Sequence, residues 1–376
     1  MNNIYTDLNP TPRLLLGPGP SAVHPRVLRA MATPLVGHLD PDFLTVLAEV
    51  KSLLQYAFQT QNELTLAVPG TGTSAMETAL SNLLEAEDRI LVCINGYFGE
   101  RLADMAMRFG AEVTRLEKPW GEIFDPDEIE APLRDTPAKV VALVHAETST
   151  GARQTQIKSI ADACHRNDAL LVLDCVTSLG GIEVKIDAWD VDIAYSAAQK
   201  ALSSPPGLSP LTVSDRARET ITQRSKKPAV FYFDLNLLAK YWSDEPSYHH
   251  TAPISTTYAL REALRLLYEE GLEPCFDRHR LNAKALWMGL ESLDLPLFIP
   301  EDIRLPTLST PHLPEYVDDT KIRRRLLEDY NIEIAGGFGP LAGRIWRIGL
   351  MGYSSQRENV TLLLAALEDL LRGQAN

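Results

Sequence analysis

The sequence predicts an α/β fold: an open, mostly parallel sheet sandwiched by helices, followed by a smaller C-terminal α+β domain. Three observations carry this. From about residue 63 to 215, short apolar runs alternate with helical patterns, as parallel strands joined by crossover helices require. The run Ala169-Leu-Leu-Val-Leu173 is apolar at every position, as a strand covered on both faces must be. After about residue 252 the alternation stops. Residues 256–292 then carry helical spacing, and 303–350 mix strand-like and helical pieces.

Taken in order, residues 1–20 are polar and proline-rich and end in Gly17-Pro18-Gly19-Pro20. They read as an irregular N-terminal arm lying over another surface. Residues 64–68 read as a strand and 73–86 as a helix, with Ser74 and Glu77 spaced as a capping box. A strand at 90–94, a helix at 97–109 and a strand at 140–144 follow. Ile157, Ile160, Ala161 and Cys164 fall at helical spacing ahead of the strand at 169–173. Strands at 192–196 and 211–213 close the series. The last helix starts near Gln356 and stops before Gly373. The predicted division is an arm at 1–20, a large α/β domain at 21–257 and a small domain at 258–376.

The composition excludes several classes. Of 376 residues, 45% are hydrophobic and 23% charged, which rules out disorder. Lys plus Arg minus Asp plus Glu is 36 − 50 = −14, which argues against a nucleic-acid partner. Cys93, Cys164, Cys175 and Cys275 form no CxxC pair. That speaks against a disulfide framework or structural zinc, and for a reduced, cytoplasmic setting. The start lacks the regions of a signal peptide, and no apolar run approaches the roughly 18 residues of a membrane span.

In an open α/β sheet, ligands sit beyond the carboxyl ends of strands, so the loops there are the places to search. After the strand at 64–68 comes Pro69-Gly70-Thr71-Gly72-Thr73-Ser74-Ala75 and a helix. Glycines let the backbone approach an anion, and a helix start offers free N–H groups. Gly70-x-Gly72-x-x-Ala75 also matches a dinucleotide fingerprint, but the next strand ends Ile94-Asn95-Gly96, without the acid that would hold a ribose. A glycine-rich turn with no ligand is the plain alternative. Asp174 ends the most apolar strand; it either caps the next turn through Thr177 or Ser178, or faces a buried cation. Lys200 follows Ser196-Ala-Ala-Gln199. It is either a surface ammonium or an amine in a tight pocket, fit to form a Schiff base. His145-x-Glu147 resembles part of a zinc deaminase signature, but Pro274-Cys275 lacks the third ligand; adjacent His249 and His250 on a strand would point apart. No metal is expected. An anion cradle, a counter-ion for a cationic ring and a Schiff-base amine together are what pyridoxal phosphate demands.

At these residues the sequence resembles the class V aminotransferases, within the fold-type I pyridoxal-phosphate enzymes. It is most similar to the alanine–glyoxylate/serine–pyruvate group. The segment from Asp192 through Gln199-Lys200 to Leu211 fits the lysine attachment pattern. Leu14-Leu-Leu-Gly17-Pro-Gly-Pro20, Phe58-Gln-Thr60, Val172-Leu-Asp174, Tyr248-His-His-Thr251, Ile332-Glu-Ile-Ala-Gly336-Gly337 and Trp346-Arg347-Ile-Gly349-Leu-Met-Gly352 extend the match over nearly the whole chain. The resemblance implies pyridoxal 5′-phosphate held covalently by Lys200, with Asp174 at the pyridine nitrogen and Thr148 near the ring hydroxyl. Thr71, Gly72 and Thr73 would line the phosphate or the ring side, Gln199 would add a phosphate contact, and Tyr248 and Thr251 would reach the phosphate from a second subunit. Phe98 would stack on the ring, and Arg347, with Gly19, would take the substrate. Phe98 and Thr148 stand where animal relatives carry Trp and Ser; the aromatic face and the hydroxyl survive.

The implied activity is ping-pong transamination in a homodimer with shared sites. Alanine or serine would be the donor and glyoxylate or pyruvate the acceptor, because one arginine, Arg347, is evident as a carboxylate clamp. Three alternatives stand beside it: a cysteine desulfurase on the same scaffold, which needs a mobile cysteine; a nicotinamide oxidoreductase; and a scaffold that has lost its activity.

Overall fold

The computed structural model describes residues 7–372 of the chain. The first six residues of the expected arm, and Gly373 beyond the last helix, lie outside the described residues. The chain opens with a short strand, β1 (Leu14–Leu15), and helices α1 (Pro25–Met31) and α2 (Pro41–Phe58). Asp40 caps α2, its carboxylate accepting from Asp42 N at 2.9 Å, and Gln59 stops it in the left-handed region at φ 51°.

A seven-stranded sheet follows, from β2 (Leu64–Gly70), β3 (Arg89–Ile94), β4 (Glu112–Glu117), β5 (Val140–Val144), β6 (Leu170–Asp174), β7 (Ile193–Tyr195) and β8 (Gly207–Val213). Their spatial order is β2-β8-β7-β6-β5-β3-β4. Neighbours are parallel except at β8, which is antiparallel to both β2 and β7. The mostly parallel expectation holds, with one reversed strand.

Alternation along the strands builds two cores. Leu91, Val141, Leu143, Leu171 and Leu173 fall in one; Ile90, Val92, Val140, Leu170 and Val172 fall in the other. That is why β5 and β6 are apolar throughout. Helices α3 (Gly72–Leu83) and α4 (Tyr97–Arg108) cover the second core with Met76, Leu80 and Leu102. Helices α5 (Pro126–Asp135) and α6 (Ile157–Arg166) cover the first with Ile129, Leu133, Ile160 and Cys164. Each large aliphatic side chain so buried contributes about 1.5–3 kcal/mol.

A third core gathers Leu16, Leu286, Leu290, Trp346, Ile348 and Leu367 around a small antiparallel sheet. Its central strand, Trp346–Gly349, pairs with Leu308–Ser309 and Ala335–Gly336. β1 pairs in parallel with Ile332–Glu333, and Leu16 is fully buried there. Residues 14–16, read from sequence as part of an arm, are therefore tied into this core. The expected division at 257/258 falls within the helix Ile254–Glu270, whose Leu260, Leu264 and Leu267 pack with the first sheet core. The next helix, Leu272–Ser292, gives Cys275 to that core and Leu286 and Leu290 to the third. Among the described residues, no helix is long and apolar enough to cross a membrane.

Candidate active site

β8 is antiparallel to β2 and to β7, so β2 points the same way as the parallel strands. The segments leaving β2, β3, β5, β6 and β7 therefore collect along one edge. They carry Thr71–Thr73, Phe98, Thr148, Asp174 and Lys200.

Lys200 sits in a closed setting. Its Nζ donates to the carbonyl of Pro18. Ser21 holds the backbone beside it: Oγ donates to Lys200 O at 2.7 Å, and N donates to Gln199 O at 2.9 Å. Gly19 runs alongside at φ +114°, and a Cβ there would stand 2.7 Å from Lys200 Nζ. Both the dihedral and the approach require glycine. Burial brings the Lys200 amine down to about 8; Arg347 and Arg101 push the same way and Asp174 opposes them. Lys200 is half-buried rather than fully exposed, and an amine lowered in this way can serve as nucleophile or base near neutral pH.

Asp174 is 2% exposed. Oδ1 accepts from Val176 N at 2.8 Å and Oδ2 from the Tyr195 hydroxyl at 2.9 Å. Neither Thr177 nor Ser178 is its partner, so the capping alternative in that form is not what the structure shows. Burial pushes the carboxyl up to about 7, the two hydrogen bonds hold it back, Glu147 adds to the rise and Lys200 opposes it. Among the described residues it forms no ion pair, which leaves a buried carboxylate short of a cation. Tyr195 was missed from the sequence. It is the register partner of Asp174 across β6 and β7, a pairing that no local pattern displays.

The β2–α3 turn has the expected cradle form with one correction. Thr71 is the N-cap of α3 and makes no side-chain cap bond, while the Ser74 hydroxyl donates to Thr71 O at 2.7 Å. The Ser74–Glu77 capping box is thus absent, because the helix begins two residues before Ser74. A Cβ on Gly72 would lie 3.0 Å from Val176 and 3.2 Å from Ala197, so the backbone packs closely there. Ser74 N donates to Thr71 O at 2.7 Å, while the Gly72 and Thr73 amides ahead of it have no intrahelical acceptor and remain available to an anion. The Thr73 hydroxyl accepts from Arg101 Nη1 at 2.9 Å. Gln199 Oε1 is buried without a hydrogen-bond partner among the described residues. Thr148 is buried and its hydroxyl bonds to that of Thr177.

Arg101 is a second arginine here, contrary to the reading that Arg347 stood alone. Its guanidinium lies 5.0 Å from the Phe98 ring centre and 5.2 Å from that of Tyr97. The signal was present: Phe98 and Arg101 are three apart on one helix and share a face.

Arg347 comes from the strand Trp346–Gly349 and is 4% exposed. Its Nε donates to Gly336 O at 2.7 Å, and its guanidinium lies 3.8 Å from the Phe338 ring centre. Burial lowers it to about 10, opposed by Glu147. Among the described residues it has no carboxylate partner within ion-pair distance, so its outer nitrogens can take one from a ligand.

Tyr248 and Thr251 are exposed, Tyr248 at 65%, with its ring 5.4 Å from that of His38. No hydrogen bond joins either to the Lys200 pocket of the same chain among the described residues. His249 and His250 do not point apart, because their segment is irregular; their Nδ1 atoms lie 2.8 Å apart. Among the described residues there is no group of three or more potential metal ligands. His145 Nδ1 is bonded to the Ser178 hydroxyl at 2.9 Å. All four cysteines are unpaired and buried; burial pushes each thiol upward, that of Cys275 to about 12.

Comparison with known proteins agrees with this geometry. The family model for aminotransferase class-V matches residues 15–360. The chain is 42% identical to (S)-ureidoglycine–glyoxylate transaminase of Bacillus subtilis, over 96% of this chain and 90% of that protein. It is 42% identical to alanine–glyoxylate aminotransferase of Mus musculus, over 96% of this chain and 88% of that protein. A crystal structure of alanine–glyoxylate aminotransferase from a Nostoc species superposes with a TM-score of 0.96 at 51% identity, covering 98% of this chain and 97% of that one.

Proposed function

Because the chain belongs to the class V aminotransferases, a pyridoxal-phosphate-dependent family, we propose that it transfers the amino group of a small monocarboxylic amino acid, alanine or serine, to glyoxylate or pyruvate. The observation that carries this reading is Arg347, a buried guanidinium with no acidic partner, whose charge is felt at the Lys200 amine. Arg101 is engaged with Thr73 at the cradle, which leaves one free clamp and so favours substrates with one carboxylate. The names of two similar proteins, acting on alanine or ureidoglycine with glyoxylate, point the same way.

The pocket fits pyridoxal phosphate on three counts. Asp174 is a buried carboxylate short of a cation, as a protonated ring nitrogen would supply. Gln199 Oε1 is an orphaned polar atom beside the lysine. The α3 start offers free amides, with Thr71 and Thr73 hydroxyls and the Arg101 charge beside them. Lys200 Nζ would hold the cofactor's aldehyde carbon, Phe98 would face its ring, and Thr148 would lie by the ring hydroxyl. Thr71, Gly72, Thr73 and Gln199 would receive the phosphate, with Tyr248 and Thr251 of a second copy completing it; their exposure here supports that assignment.

When bound, the cofactor supplies an electron sink that acidifies the α-hydrogen of an amino acid. Arg347 fixes the substrate carboxylate and thereby the direction in which that hydrogen points. Lys200 Nζ, at about 8, takes the proton from the α-carbon and returns it elsewhere. Asp174 keeps a negative charge against the ring nitrogen, and Tyr195 holds that carboxylate in place. Burial of Asp174, 2% exposed, excludes water that would screen its charge, while Lys200 is half-buried.

The rest of the reading belongs to the same proposal. A homodimer with shared sites is supported by the exposed Phe231, Tyr232, Tyr248 and Leu35. The separate core around Trp346 supports a small C-terminal domain within 258–376, beside a cofactor domain within 21–257; Leu14 and Leu16 join that core, so the proposed arm at 1–20 is anchored on it. Four free thiols suit a reducing cytoplasm. A desulfurase would need an accessible thiolate, and the buried cysteines disfavour it. The test is a panel of amino donors with glyoxylate and pyruvate, ranked by kcat/KM. Alanine or serine with glyoxylate or pyruvate should lead; aspartate or glutamate ahead of both donors by tenfold or more would overturn the single-clamp reading.

A further inference from the structure

The buried acid Glu147 serves neither in the cradle nor in the clamp. It sits in a two-stranded ladder in which Ala146–Glu147 pairs with Ala152–Arg153, and it is 0% exposed. Its carboxylate accepts from Ser149 Oγ at 2.6 Å, from Ser149 N at 3.0 Å and from Phe98 N at 3.2 Å. Ser149 Oγ in turn accepts from Tyr97 N at 2.9 Å. Helix α4 thus starts with its first donors satisfied from outside the helix. The reason is local: its N-cap is Gly96, which has no side chain to accept them. Gly96 also admits the acid, since a Cβ there would stand 2.3 Å from Glu147 Cγ. On the other side a Cβ at Gly99 would press to 2.9 Å on Cys93 O, so the start of α4 is held between β3 and Glu147.

We propose that Glu147, acting with Ser149, is a positioning residue: its carboxylate replaces the missing cap of α4 and fixes the Phe98 ring against the cofactor. Phe98 gives its own backbone N–H to Glu147, and its ring centre lies 5.0 Å from the Arg101 guanidinium. Anchoring its backbone therefore sets both the ring and the arginine that reaches Thr73. This rests on the assignment of the Lys200 pocket to pyridoxal phosphate.

The test uses the purified holoenzyme and the variants Glu147→Ala and Glu147→Gln. Visible circular dichroism of the bound cofactor, divided by cofactor content after alkaline release, reports how firmly its ring is oriented. Glu147→Ala should lower that ratio at least threefold. It should lower kcat about tenfold, with KM for the amino donor changed less than threefold. Glu147→Gln keeps the shape and an acceptor oxygen, and should recover more than half of the dichroism ratio. If Glu147→Ala does not fold, Ser149→Ala decides by the same ratio, since it removes the Tyr97 acceptor and one carboxylate donor. A wild-type ratio in whichever of these two variants folds overturns the proposal, as does a Glu147→Gln ratio no higher than that of Glu147→Ala. A wild-type protein with no visible band would instead refute the cofactor assignment, so the two failures are distinguishable.

Discussion

Replacing Asp174 by asparagine should stabilise the cofactor-free protein and weaken the loaded one. Burial raises the Asp174 carboxyl from its ordinary 3.8 to about 7. At ~1.4 kcal/mol per pH unit, that difference corresponds to roughly 4 kcal/mol against the charged form in the empty pocket. The folded state holds this proton more tightly than the unfolded chain. The group's contribution is therefore intact below about pH 4 and is lost as pH climbs through about 7. Asparagine does not titrate. It can still accept from Val176 N and donate to the Tyr195 oxygen, so no hydrogen bond need be lost. Denaturant unfolding of stripped protein, wild type against Asp174→Asn, should show a gap that opens in favour of the variant between pH 4 and 8, up to about 4 kcal/mol. Acids remote from residue 174 titrate alike in both proteins and cancel in the difference; Glu147, whose charge is felt at Asp174, does not cancel fully. With cofactor restored the order should invert, because the carboxylate then faces a cation. Stability gaps that stay flat with pH in the stripped proteins would refute the idea that Asp174 is a charge waiting for a partner.

Lys200→Ala should abolish both the visible absorbance of the bound cofactor and turnover; either surviving in an absorbance scan or a coupled assay would remove Lys200 from its role. Arg347→Met should cost roughly 1.5–3 kcal/mol of carboxylate binding, or about tenfold to a hundredfold in kcat/KM for the amino donor. A loss confined to cofactor content would show that Arg347 does not meet the substrate. Gly19→Ala forces a side chain to φ +114° and against Lys200 Nζ. It should lower stability by about 1–3 kcal/mol and turnover more than tenfold, and a variant with wild-type kcat would show that the segment is not confined at the amine.

The strands legible from sequence are those buried on both faces. β5 and β6 announce themselves because every side chain meets a core. β4 was overlooked: it is an edge strand of sequence Glu-Val-Thr-Arg-Leu-Glu whose side chains are largely exposed or half-buried, so no apolar run marks it. Helix α2 was also passed over. The reversed direction of β8 and the pairing of β1 with Ile332–Glu333 depend on contacts far apart in sequence. At the site, Lys200, Asp174 and the cradle were readable because each follows a strand end. Tyr195 and Glu147 were not: their meaning lies in which atoms face them across the sheet, as Asp174 faces Tyr195. Arg101 was within reach of helical spacing, three residues after Phe98 on the same helix.

The stretch from Leu14 to Ser21 is a short cable with both ends made fast. One end is laced to Ile332–Glu333 and sunk at Leu16; the other grips the backbone of residues 199 and 200 and lays a carbonyl on the lysine amine. Few residues lie between those anchors and there is little slack. A shift of the Ile332–Glu333 strand would pull on the segment that lays its carbonyl on the nitrogen at 200, so mutations near Ile332 should disturb turnover without touching the pocket wall.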